Sequence, residues 1–237
     1  MATYPVQHRL EALALVIGIC MAACGGGPHD RPPLPSGPPI EPNVALLKQT
    51  KDGDLQGIEA SLKAGADANF VPDPVGAESP LINAARRGHV AAVRLLLQHG
   101  ALPNMRTTDE TPLHAAAARG HADVVALLLA WGANYRALIG FGGQHALGDA
   151  VSGGHGEVVW LLYKEGATIQ PVFLCYAVSD GHAELVNVLL NTGLDPRTVD
   201  CSGRSPFDLA GRLPLPQREE ISRRLARARS STSDPNR

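Results

Sequence analysis

The 237-residue sequence predicts an all-α solenoid of about six stacked helix pairs joined by short hairpin fingers. The first observation is a fixed spacing: the second residue of each of five corner dipeptides precedes a glycine by eleven positions. The corners are Gly53-Asp54, Gly88-His89, Gly120-His121, Gly154-His155 and Gly181-His182, and the glycines are Gly65, Gly100, Gly132, Gly166 and Gly193. The second observation is that the connectors vary, with 24, 21, 23 and 16 residues from each such glycine to the next corner. A constant packed unit with variable surface loops is what a solenoid requires.

An outer helix is predicted between each corner and its glycine. Apolar side chains lie three, four, seven and eight residues after the corner, as in Ala92, Val93, Leu96 and Leu97. This spacing places them on one face of a helix with a 3.6-residue period. The glycine that follows suits the left-handed conformation common just after a helix.

A shorter inner helix is predicted before each corner. Ser79-Pro80, Thr111-Pro112 and Ser205-Pro206 place a hydroxyl N-cap before a proline in the first turn. The side chains that follow are small, as in Ala115 to Ala118. Small residues let the inner helices approach closely while leucine-rich outer helices fill the wider gap behind them.

The segment "TPLHAAAARGHADVVALLLAWGAN" resembles an ankyrin repeat. The residues that fall on the family's motif are Thr111, Pro112, Leu113, His114, Ala116, Gly120, His121, Leu127, Leu128, Gly132 and Ala133. The resemblance implies six units over residues 43–229 and a role in binding other proteins. The fourth unit departs from the motif, because His145-Ala146 replaces Thr-Pro and its inner helix lacks a hydroxyl cap. The first and last units are expected to be capping units that face water.

The N-terminus predicts a targeting segment, residues 1–23. Its apolar run from Ala12 to Ala23 is too short to span a bilayer but fits a secretory signal. The ending "MAAC" resembles the lipobox of bacterial lipoproteins, which implies cleavage before Cys24 and lipidation of Cys24. Cleavage as an ordinary signal peptide, or no cleavage and a cytoplasmic chain, are the alternatives.

Residues 24–42 are predicted to be a disordered linker, since seven of the eighteen residues after Cys24 are proline. Residues 230–237 are predicted to be a disordered tail. The expected location is the cell envelope, with the chain lipid-anchored and facing the periplasm. A soluble periplasmic or secreted protein is the alternative if the lipid is absent.

No catalytic, metal-binding or cofactor-binding residue is predicted. His89, His121, His155 and His182 occupy equivalent positions in successive units, about 8–10 Å apart, too far for two rings to share one zinc ion. The segment Gly140–Gln144 lacks the Gly-Lys-Ser/Thr ending of a phosphate loop and is expected to be a hairpin tip. The net charge of −2 gives no indication of a nucleic-acid partner, and no small-molecule substrate is predicted.

Cys175 and Cys201 leave two alternatives open. In an oxidising compartment they could form a disulfide if their Cα atoms come within about 7 Å. The sequence-based expectation favours free thiols.

The predicted function is non-catalytic protein binding through the fingers and the inner-helix face. Arginines and aromatic side chains are enriched at interface hot spots, and the residues expected to contact a partner are Phe70, Arg86, Arg87, Met105, Arg106, Arg119, Tyr135, Arg136 and Phe141. The basic residues imply a partner that is acidic at the contact. The competing interpretation is that the arginines only complement helix dipoles and the aromatics fill gaps. Alternative functions are an immunity or inhibitor protein against a secreted toxin or envelope enzyme, and a host-directed effector.

Overall fold

The computed structural model describes residues 40–72, 79–107, 110–139 and 144–231. These residues all belong to one compact unit, Pro38–Arg237. They form six helix pairs, which confirms the predicted all-α solenoid. The pairs are α1 (Ile40–Asp52) with α2 (Leu55–Lys63), α3 (Pro80–Arg87) with α4 (Val90–Gln98), α5 (Pro112–Ala117) with α6 (Ala122–Ala130), α7 (Ala146–Ser152) with α8 (Gly156–Lys164), α9 (Val172–Ser179) with α10 (Ala183–Asn191), and α11 (Pro206–Ala210) with α12 (Gln217–Ser231).

The glycines of the repeat adopt the backbone conformation that the sequence predicts. The corner glycines have φ between +71° and +75°, and the glycines after the outer helices have φ between +82° and +96°. A side chain is strained in this left-handed region, so glycine is the favoured residue at both places. The same two turns therefore recur in each of the first five pairs.

The outer helices fill the core. The leucines seven residues after the corner histidines are fully buried: Leu96, Leu128, Leu162 and Leu189. The valines four residues after the same histidines are also fully buried: Val93, Val125, Val159 and Val186. Burying one such side chain contributes about 2 kcal/mol. Because each pair covers its neighbour, the buried residues form one continuous core along the stack.

The inner helices begin as predicted where a hydroxyl is present. Ser79 and Thr111 accept hydrogen bonds from the backbone N–H groups of Ile82 and His114. Ser205 forms a capping box with Asp208, in which each side chain accepts from the other residue's backbone. His145 caps α7 without a side-chain hydrogen bond, as its departure from the motif predicts.

One finger carries a β-hairpin. Strand β1 (Leu138–Ile139) pairs antiparallel with β2 (Gln144–His145), with Leu138 opposite His145 and Ile139 opposite Gln144. The next finger is short, because α8 ends at Lys164 and α9 begins at Val172. The small spacing between Gly166 and His182 predicts this truncation.

The last pair closes one end of the stack. Ile221 and Leu225 of α12 are fully buried, and Arg224 donates to the Ala183 carbonyl at 2.9 Å and to Glu184 at 2.7 Å. Hydrogen bonding to Arg224 lowers the pKa of Glu184 below its usual range. Among the described helices, none is both long and apolar enough to cross a membrane.

Two expected boundaries differ from the structure. Helix α1 begins at Ile40, so residues 40–42 of the predicted linker are helical. Pro42 lies in the first turn, where its missing N–H would have no partner within the helix. Helix α12 continues to Ser231, two residues into the predicted tail. The signal segment and Cys24 lie outside the described residues.

Candidate partner-binding face

The inner-helix face changes character along the stack. The residues five positions before the corner glycines are Asn83, Ala115, Asp149 and Tyr176 in pairs two to five. Asn83 is 1% exposed and Ala115 is 0% exposed, but Tyr176 is 53% exposed. The residue at this position of the repeat is therefore buried in pairs two and three and exposed in pair five.

A polar cluster lies on this face. Arg86 forms a partly buried ion pair with Glu110, which directly precedes the cap residue Thr111. Burial, and to a smaller extent the negative charge of Glu110, raises the pKa of Asp149 to about 6. Both amide atoms of Asn83 lack a hydrogen-bond partner in the described part of the chain. The inner face of pairs two to four therefore carries polar groups among residues with small side chains.

Two asparagines link successive fingers. The Nδ2 of Asn69 donates to the Gly100 carbonyl at 3.0 Å, and its Oδ1 accepts from the Leu102 N–H at 2.8 Å. Asn104 makes the same pair of bonds one unit further on, to the Gly132 carbonyl at 2.9 Å and from the Asn134 N–H at 2.7 Å. Each carboxamide thus satisfies one donor and one acceptor of the next finger. We call this the finger ladder.

The finger ladder stops at Arg136. Asn69, Asn104 and Arg136 each lie four residues after the glycine that ends an outer helix. Arg136 instead donates from Nε to the Tyr135 hydroxyl at 3.1 Å, and its guanidinium carbon is 5.3 Å from the centre of the Tyr135 ring. In the described residues, no ladder bond reaches the Gly166 carbonyl or the Thr168 N–H.

A pocket opens where the ladder stops. Its volume is about 440 Å³, and its lining includes Tyr135, Arg136, Gly148, Gly166, Thr168 and Phe173. Gly148 lies six residues before its corner glycine, where the other middle pairs carry the buried side chains of Ile82, His114 and Cys175. A Cβ built on Gly148 would meet nothing within 4 Å. The pocket, which we call the Gly148 pocket, therefore takes the place of a core side chain.

The predicted contact residues are divided among different environments. Arg87, Arg106, Arg119 and Arg136 are exposed, whereas Phe70, Met105 and Tyr135 are partly buried. Arg86 is held by Glu110. Phe141 lies outside the described residues. Of the set, the structure brings Tyr135 and Arg136 together at the Gly148 pocket.

The cysteines correct one expectation. Cys175 and Cys201 form a disulfide, with 5.6 Å between their Cα atoms, so the preference for free thiols is wrong. The bond joins α9 to the finger that precedes α11, and both residues are buried. Cys175 occupies the register position of His114, six residues before its corner glycine.

The corner histidines have the structural role expected for them. The Nε2 atoms of His89, His121 and His155 donate to the carbonyls of Lys51, Arg86 and Ala118 at 3.1 to 3.2 Å. Each carbonyl lies two residues before the corner glycine of the preceding pair. The described residues contain no group of three or more side chains placed to hold a metal ion.

The stack, its fingers and its inner-helix face define a class of helical-repeat protein. The family model described as ankyrin repeats, in three copies, matches residues 46–139, so this part of the chain contains ankyrin repeats. Ankyrin repeats are in general protein–protein interaction modules. Over 67 residues the chain is similar to the 2-5A-dependent ribonucleases of Mus musculus, at 42% identity, and of Homo sapiens, at 36%. Each matched stretch is 28% of this chain and 9% of the relative's length.

Proposed function

We propose that the chain is a non-catalytic binding module that holds a partner protein against the inner-helix face and fingers of pairs three to five. The observation that carries the proposal is the uncovered inner face of pair five, where Tyr176 is 53% exposed in a stack whose equivalent residues Asn83 and Ala115 are buried. Tyrosine is a residue type that contributes strongly at interfaces, because its ring is large and its hydroxyl remains hydrated. The Gly148 pocket is lined in part by Phe173, which belongs to the same helix as Tyr176.

The charge of the partner follows from the exposed cations. Arg87 and Arg119 are both exposed and both directly precede a corner glycine, so they form a row at the ends of the inner helices. Arg106 and Arg136 add exposed cations from two successive fingers. A partner with an acidic contact surface is complementary to this row.

The proposed location is the bacterial cell envelope, with a lipid on Cys24 as the anchor. Support comes from the lipobox-like sequence and from the Cys175–Cys201 disulfide, because disulfides persist in oxidising compartments and are rare in the cytosol. We do not propose ribonuclease activity for this chain, because the similarity covers only 9% of the length of the two ribonucleases.

Crosslinking in intact envelopes, followed by pull-down, tests the binding proposal. Tyr176→Ser should remove the crosslinked partner. Trp160→Ser is the matched control, because Trp160 is an exposed aromatic on the outer helix α8 and should leave the partner in place. If both variants retain the same partner, binding does not use the inner face.

The anchor has a separate test. The mass of the mature N-terminus should show an acylated Cys24, and Cys24→Ser should move the chain from the membrane to the soluble fraction. An unmodified N-terminus that begins at Met1 would rule the anchor out, without bearing on the binding face.

A further inference from the structure

We infer that the Gly148 pocket receives a loop of the partner protein that inserts an asparagine or glutamine side chain, with an acidic residue beside it. The inference rests on the proposed function, since the pocket lies in the proposed binding face, and it states the chemistry of the partner at one point.

The hydrogen-bonding groups of the pocket specify a carboxamide. In the first two steps of the finger ladder, a carbonyl and an N–H group two residues later are bridged by one asparagine side chain. The equivalent groups in the next finger are the Gly166 carbonyl and the Thr168 N–H, and both residues line the pocket. Within the described ranges neither group has a hydrogen-bond partner. A carboxamide supplies the required donor and acceptor together.

The pocket lies where two residues depart from the repeat pattern. Gly148 removes the side chain that Ile82, His114 and Cys175 supply elsewhere, and Arg136 removes the carboxamide that Asn69 and Asn104 supply. Gly148 and Arg136 both line this pocket. A glycine within a helix is unfavourable relative to alanine, so the empty space is not explained by local helix stability.

Size and charge define what accompanies the carboxamide. A volume of about 440 Å³ is within the range of ligand pockets and exceeds the space of one asparagine side chain, so a loop rather than an isolated side chain fits. Arg136 is exposed at the rim, and its planar guanidinium favours a carboxylate partner. His145 lines the same pocket, and no carboxylate does.

Selection of a displayed library of cyclic peptides against the full chain tests the inference. The enriched peptides should carry asparagine or glutamine next to aspartate or glutamate. Replacing the peptide's carboxamide residue by alanine should weaken binding about tenfold, the effect of losing a well-formed hydrogen-bond pair. Arg136→Ala in the protein should weaken it by a similar factor.

Gly148→Leu and Gly148→Ala form a matched pair. Leucine places a large side chain where Ile82 stands in pair two, so it should block part of the pocket and weaken binding strongly, whereas alanine adds one methyl group to open space and should retain binding. Circular dichroism and the melting temperature check that both variants are folded. Loss of binding in Gly148→Leu alone supports the pocket.

Two results overturn the inference, and they differ in what they say about the proposed function. If the selected peptides bind Gly148→Leu as well as the parent but lose binding in Tyr176→Ser, the pocket is not the site and the inner face still is. If the peptides are insensitive to both substitutions, the pocket and the inner-face proposal fail together.

Discussion

Pairs two and three differ from pairs four and five in how their inner helices and fingers are held. Helices α3 and α5 begin at hydroxyl caps, and the finger ladder joins their fingers through Asn69 and Asn104. Helices α7 and α9 begin without a side-chain cap, and the ladder is absent at Arg136. The two halves share the corner glycines and the buried outer-helix leucines.

The difference shows where local stability is given up. A missing hydroxyl cap costs about 1 kcal/mol, and a helical glycine such as Gly148 costs about the same. Pairs four and five, which lack the hydroxyl caps, are the ones in which the Gly148 pocket is open and Tyr176 is exposed. A disulfide in pair five compensates, because it ties α9 to the following finger.

Removal of the disulfide is expected to have the largest effect. The two cysteines are 26 residues apart, and a loop of this length contributes about 3 kcal/mol when it is closed. The double variant Cys175→Ala, Cys201→Ala should lose that much free energy of unfolding in a urea titration. Dithiothreitol should destabilise the parent and have no effect on the double variant, which lacks both partners of the bond. Equal stability of parent and double variant would contradict the compensating role of the disulfide.

The corner that both halves share is tested by Gly120→Ala. A Cβ on Gly120 would lie 2.4 Å from Nδ1 of His155, the ring that bonds the Ala118 carbonyl. Left-handed strain and the displaced ring together should lower the free energy of unfolding by about 3 kcal/mol.

The matched control for the corner is Gly132→Ala. Gly132 has a similar φ of +82°, and a Cβ there meets nothing within 4 Å. Its loss should be about 1 kcal/mol, from strain alone. Equal losses from the two substitutions would mean that the histidine contact between pairs adds nothing to stability.

The sequence predicts the shared features far better than the differing ones. The five corners and the helix period follow from counting residues, because they depend on local backbone geometry. Of the differing features, the truncated finger also follows from a count, since its connector is shorter than the others. The register position of Gly148 is also available from the repeat, since it aligns with Ile82 and His114. That this position opens a cavity depends on the separation of neighbouring fingers, which no periodicity encodes.

The same limit explains the other unpredicted features. The disulfide depends on the path that the finger takes between Cys175 and Cys201. The sequence predicts Arg136 as a contact residue from its chemical type, whereas the structure shows that Arg136 occupies the position of a ladder asparagine. Asp149 gave no signal in the sequence, because its altered pKa arises from burial and from the charge of Glu110.

The free energy of unfolding is expected to depend on pH through Asp149, by less than the loss expected for Gly120→Ala. The pKa of Asp149 is raised to about 6, above the value of about 3.9 for an unfolded chain. The folded state therefore holds more protons between these values, and the contribution of Asp149 to stability declines as the pH rises from about 4 through 6. Asp149→Asn should match the parent near pH 4 and exceed its free energy of unfolding by about 1 kcal/mol at pH 7.5, after allowance for partial exposure.

Urea titrations of Asp149→Asn at both pH values measure this difference. Asp180→Asn is the control, because Asp180 is an exposed carboxylate at the end of an inner helix and its removal changes the net charge by the same amount. If the two variants gain equally at pH 7.5, net charge rather than the buried site accounts for the effect.

The smallest effect should come from restoring the finger ladder with Arg136→Asn. An asparagine at this position can donate to the Gly166 carbonyl and accept from the Thr168 N–H, as Asn104 does for the preceding finger. Two exposed hydrogen bonds should add about 0.5–1 kcal/mol to the free energy of unfolding. Asn104→Ala is the opposite change and should remove about 1–2 kcal/mol, because it breaks both bonds of an existing step.

Hydrogen exchange locates the change more directly than global stability. In Arg136→Asn the Thr168 amide should exchange more slowly, and in Asn104→Ala the Asn134 amide should exchange faster. If Thr168 remains unprotected while Asn104→Ala deprotects Asn134, the spacing of the fingers and not the identity of residue 136 interrupts the ladder. In that case the truncated finger alone would create the Gly148 pocket, and lengthening the segment between Gly166 and Val172 would be the change that closes it.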